Sequence, residues 1–71
     1  MENEITVGSV YHLNKGNLSF LYIPTKITTR KNPEDGDHDD VLCLQINLQN
    51  QETKIVYRSF DFLLDNCEKL I

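Results

Sequence analysis

Apolar and polar residues alternate along most of this chain, most clearly at VLCLQINLQN, residues 41–50. Leu42, Leu44, Ile46 and Leu48 fall on every second position. A strand turns successive side chains to opposite faces, so these four are expected to line one face together, against a core. The other register, Val41, Cys43, Gln45, Asn47 and Gln49, starts apolar and turns polar. That is the pattern of a face that grows wetter along the strand. The segment reads as a central strand whose leucines the rest of the chain covers.

The same period recurs on either side. Ile5, Val7, Ser9, Tyr11 and Leu13 alternate with Thr6, Gly8, Val10 and His12. This predicts a first strand over 5–13, with a bulge or close backbone approach at Gly8. Asn14-Lys15-Gly16-Asn17 predicts a tight hairpin turn, because Gly and Asn tolerate positive φ. Leu18–Ile23 predicts a second strand. Pro24, which has no amide donor, should sit at an edge or kink, and Thr25–Arg30 continues the strand beyond it. Lys31–Asp40, KNPEDGDHDD, has turn dipeptides, dense like charge and no apolar residue. It predicts a mobile acidic loop. Asn50–Thr53 predicts a second turn. Lys54–Ser59 predicts a fourth strand, with Ile55 and Tyr57 on one side and Lys54, Val56 and Arg58 on the other.

The period changes at the end. Phe60, Leu63, Leu64, Cys67, Leu70 and Ile71 form one helical stripe. Ser59 suits the N-cap, Asp61 the first turn and Lys69 the C-terminal end. The spacing predicts a helix over 60–71 that plugs one side of the sheet. Hairpin-linked strands followed by one amphipathic helix give a mainly β fold in a single domain spanning 1–71. Its form is expected to be an SH3-like, partly open barrel of four to five strands or, second, a small antiparallel sheet curled under the helix.

Size and charge narrow the function. With 71 residues, a chain of this class keeps only about 3–5 kcal/mol of stability from its core, so a deep catalytic pocket is hard to house and a partner or second copy is expected to add burial. The net charge is −4. Glu34, Asp35, Asp37, Asp39 and Asp40 concentrate five acids in one stretch, leaving six acids against seven bases elsewhere. The acidity is local, and the broad basic surface that nucleic-acid phosphates require is missing. The two cysteines form no C-x-x-C pair. The opening MENEITVG does not read as a secretory signal, and no apolar run approaches the ~18 residues of a membrane span. A cytoplasmic setting with reduced thiols is expected.

Gly8–Asn17, GSVYHLNKGN, resembles the opening of small bacterial and phage domains of unknown function, with a Gly-x-x-Tyr and Tyr-x-His pattern followed by Lys-Gly and a strand. Val56-Tyr57-Arg58 and the Phe60/Phe62 segment are similar to their closing strand. The similarity covers about half of the chain, which lacks the tryptophan common near the end of those domains. The resemblance implies an SH3-like fold and a phage or prophage setting. It implies no activity and no site.

Each candidate chemistry has a plainer competitor. Asp35-Gly36-Asp37-His38-Asp39 starts like a calcium loop, but Asp40 and Ile46 stand where Gly and Glu are needed. No metal and no cofactor is expected. His12 and His38 lack further ligands at suitable spacing. Cys43 and Cys67 lie among apolar residues and read as small core residues. Most aromatics read as core, whereas Phe62 lies off the helical stripe and is expected to be exposed to a partner.

The leading expectation is therefore a non-enzymatic protein-binding module. In concrete form it is a phage-type inhibitor of a host or defence protein, docking a basic site through Glu34, Asp35, Asp37, Asp39, Asp40 and Phe62. Alternatives are a small nucleic-acid or nucleotide binder on an SH3- or OB-like barrel, and an assembly subunit with no independent activity. A homo-oligomer is compatible with each, and no membrane partner is expected.

Overall fold

The computed structural model describes residues 5–32 and 36–71, with side chains at 5–28 and 40–71. The elements in chain order are β1 (Tyr11–Lys15), β2 (Leu18–Asn32), β3 (Gly36–Asn47), β4 (Thr53–Ser59), α1 (Phe60–Asn66) and β5 (Glu68–Lys69). All strand pairs are antiparallel. They build one open sheet in the order β4-β3-β2-β1-β5. The fold is mainly β, and of the two expected forms it is the small sheet with a helix laid against it. The middle position belongs to β2 rather than to the 41–50 segment.

The strand β1 is shorter than its alternation predicts. Val7 and Gly8 form a turn instead, with Gly8 at φ +91°. Its amide donates to Pro24 O at 2.9 Å, which is the close approach expected of this glycine. Gly16, at φ +62°, and Asn17 close the β1–β2 hairpin between the Lys15–Leu18 pair. Positive φ suits this turn because it matches the strand twist. Pro24 marks a bulge rather than an end. The β2–β3 register shifts between Pro24 and Lys26, leaving Thr25 as the extra residue, and Thr25 Oγ1 donates to Leu42 O at 3.0 Å.

The expected loop over 31–40 is largely strand. Asn32 pairs with Gly36, Lys31 with Asp37, Arg30 with His38 and Thr29 with Asp39. This ladder continues past the last partners of β1 and β4, so it forms a two-stranded arm. Local charge density predicted repulsion, but the register sets Lys31 opposite Asp37, and the Thr-rich β2 segment favours extended backbone.

The core lies on the face opposite to the expected one. Val41 and Cys43 are fully buried, together with Tyr22 and Leu63, and Ile5, Tyr11 and Leu13 complete the cluster. Leu42, Leu44 and Ile46 are only half-buried and Leu48 is exposed. The polar residues of the Val41 register misled the reading. Gln45 is not wet: its Oε1 accepts from Tyr22 Oη at 2.8 Å and from Arg58 Nη2 at 3.1 Å. A satisfied polar group is tolerated on a covered face.

The helix is also shorter than its stripe. Ser59 caps it, its Oγ accepting from Phe62 N at 3.1 Å, and Leu63 carries its burial. At Cys67 the backbone turns extended. Glu68 and Lys69 then pair with His12 and Tyr11, and Leu70 N donates to Val10 O at 2.8 Å. The free edge of β1 captures the chain and ends the helix, and Leu70 and Ile71 stay exposed.

Candidate functional site

Antiparallel register decides which side chains share a face, because directly paired residues point the same way. One row runs Ile23, Leu44, Ile55 and another Leu21, Ile46, Thr53. Leu42 and Tyr57 are paired beside them. The Leu44 and Ile46 rows are thus apolar or hydroxyl-bearing across β2, β3 and β4, whereas the Leu42 row carries Lys26 on β2. Helix α1 and Ile5 pack with Val41 and Cys43 on the opposite face. Among the described residues no element lies over the Leu44 face. Ile55 is 63% and Tyr57 58% exposed, while the leucines and isoleucines between them shield one another to half-burial. His12, whose Nε2 lies 3.0 Å from Ser19 Oγ, borders the patch.

The covered face is built differently. The Arg58 guanidinium carbon lies 5.5 Å from the Tyr22 ring centre and 5.2 Å from that of Phe62. Tyr22 and Phe62 meet edge to face at 5.6 Å. Arg58 Nη1 also donates to Tyr57 O at 3.0 Å. The cation is held between rings and by Gln45, so it is withdrawn from any surface basic groove. Phe62 is accordingly half-buried and packed against the core, not free as expected. The exposed aromatic is Tyr57. Its place beside Ile55 on one side of β4 was legible in the sequence, whereas its pairing with Leu42 was not, and the 41–50 strand was expected to have its core on the other side.

Glu34 and Asp35 lie outside the described residues. Asp37 and Asp39 are placed on the β3 side of the arm. Asp40 is buried at its root, opposite Thr28 and Ser59. Of the five, Asp37, Asp39 and Asp40 belong to β3 and Asp40 is buried.

Both cysteines are free. Burial pushes the Cys43 thiol up to about 11 from an ordinary 9.0, against the opposing pull of Arg58. Burial also raises Cys67, again with Arg58 opposing. Thiols held protonated are poor nucleophiles. Among the described residues, no three His, Cys, Asp or Glu side chains converge as a metal site, and no helix is long and apolar enough to cross a membrane.

No family model, curated protein or solved structure matches the chain.

Proposed function

We propose that this chain is a non-enzymatic binding module that works by surface contact with protein, through the β2–β3–β4 face. One observation carries the reading: Ile55 and Tyr57 stand exposed beside a half-buried apolar cluster that no described element covers. A contiguous apolar patch of this kind on a small domain marks an interaction surface. In the electrostatic version, a phage-type inhibitor would offer carboxylates to a basic site on a host or defence protein. Among the described residues it draws on Asp37 and Asp39 of the arm. The apolar face is broader and supports the module better.

Immobilised full-length chain and its Ile55→Asp variant, exposed to extract of the native host across a salt series, test this. A protein retained by the wild type at high salt and lost by Ile55→Asp is the expected result. Capture that disappears with salt but survives Ile55→Asp would move the contact to the acids. Identical capture by both chains at every salt concentration would remove the face from the account.

A further inference from the structure

We infer that the outer edge of β4 takes an extended segment of another protein as an added strand, with apolar residues at every second position and acids between them. The inference rests on the reading that this side of the sheet contacts protein, and it names the form the partner takes.

Backbone phase is the first observation. Strand β4 ends the sheet order, and among the described residues no strand pairs with its far side. Facing residues of an antiparallel ladder alternate between those that exchange hydrogen bonds and those that do not. Asn47 N donates to Glu52 O at 2.8 Å, which sets the phase of the β3–β4 ladder. Lys54, Val56 and Arg58 therefore turn their amides and carbonyls toward β3, and Thr53, Ile55 and Tyr57 turn theirs outward. Leu42 O, which accepts from Thr25 on β2, fits the same phase. Tyr57 O already accepts from Arg58 Nη1 at 3.0 Å, and a carbonyl keeps a second lone pair for another donor. The strand runs seven residues with no proline and no register shift. A row of outward amides and carbonyls is matched by another extended backbone.

Side chains then specify the sequence. Directly paired residues share a face. An added strand sets its residues opposite Thr53, Ile55 and Tyr57 at the end of the Ile23–Leu44–Ile55 row and beside the Leu42–Tyr57 pair. Apolar side chains there cover Ile55 and Tyr57, which are both mostly exposed. The residues between them fall beside Lys54, Val56 and Arg58. Arg58 is held over the Tyr22 and Phe62 rings, whereas Lys54 is exposed and selects an acid. Strand β4 itself, TKIVYRS, has no acid, so a second copy pairing there would bring Lys54 no counter-charge.

Amide NMR of the isotope-labelled full chain, titrated with the peptide acetyl-Thr-Val-Glu-Val-Glu-Val-Thr-amide, tests this. In the free chain the Ile55 and Tyr57 amides should exchange with solvent faster than those of Val56 and Arg58. The peptide should shift the Ile55 and Tyr57 amides and slow their exchange. N-methylating its valines removes the donors that face β4 and should weaken binding by about tenfold or more. N-methylating its glutamates, whose amides face away, should leave binding unchanged. Lysines in place of the glutamates should weaken it several-fold at low salt. No shift at millimolar peptide overturns the inference. So does equal binding of the two methylated peptides, which would put the contact on the face and not the edge. Ile55 and Tyr57 amides already protected in the free chain, and more so at higher protein concentration, overturn it in favour of a second copy. A chain that ignores the peptide but loses a host protein on Ile55→Asp drops the edge and keeps the contact-surface reading. A chain that ignores the peptide and is indifferent to Ile55→Asp overturns both.

Discussion

Both faces of the sheet carry apolar rows, but they are built differently. The covered face mixes large and small residues, Tyr22 with Val41 and Cys43, and fills the space between them with Leu63 from the helix. It also takes in polar groups: Gln45 bridges Tyr22 and Arg58. The bare face is built mostly from branched residues, Leu42, Leu44, Ile46, Ile23 and Ile55, with Lys26, Thr53 and Tyr57 beside them. The lesson is that an apolar pattern records what a face can bury, not which face the chain itself will bury. That choice was made by the helix. It leaves β4 at Ser59 and returns over Val41 and Cys43, because Leu63 needs the room that a cysteine and a valine leave.

The largest expected contrast between the faces comes from the helix. Leu63→Ala empties a fully buried position and should cost about 2–5 kcal/mol. For a domain this small that is most of its stability, and denaturant titration should show the midpoint falling steeply. Stability unchanged within error would mean that α1 does not cover this face.

Alkaline pH gives the next largest. The folded Cys43 thiol is raised from 9.0 to about 11, so the folded state holds a proton that the unfolded chain releases. The stabilisation it represents is fully present below pH 9 and is lost as the pH climbs through 11. The loss is about 1.4 kcal/mol per pH unit in that window. Cys43→Ala should show a flatter stability profile there than the wild type, and identical slopes would mean that Cys43 is not sealed by the helix.

The smallest belongs to the bare face. Ile55→Thr, at a mostly exposed position, should change stability by no more than about 0.5 kcal/mol when measured at low protein concentration. A loss of several kcal/mol there would show that the Leu44 face is covered within a single chain, and the contrast between the faces would collapse.

Much of the fold was legible from residues alone. Period-two alternation found the strands, Gly16 and Asn17 the hairpin, Pro24 the irregularity and Ser59 the helix start. What stayed hidden was long-range. The face assignment of 41–50 depended on which side α1 would return to, and Gln45 looked wet because its partners, Tyr22 and Arg58, are distant in sequence. The acidic stretch looked like a loop because charge density is read locally, whereas its ladder to Thr29–Asn32 is not. The helix was overrun because Cys67, Leu70 and Ile71 keep the helical stripe, but β1 offered an unpaired backbone edge. Of the candidate contact residues, Phe62 was found as an off-stripe aromatic and misjudged, since only the structure shows Arg58 beneath it. Ile55 and Tyr57 were correctly placed together on one side of β4, and their exposure followed once the core was known.

The tether between the two edges of the sheet has a mechanical consequence. Ser59 ends in the row of Asp40, and Glu68 sits in the row of His12, Leu21 and Ile46. On a flat sheet, four strand spacings and six residues along the strands would separate them by roughly 27 Å. The chain joining them, one seven-residue helix and a single extended residue, reaches only about 20 Å. The backbone therefore acts as a bowstring: its length, with the intrinsic twist of the strands, is incompatible with a flat sheet. Two glycines inserted after Asn66 would slacken the string and let the bow relax without removing a single packing contact.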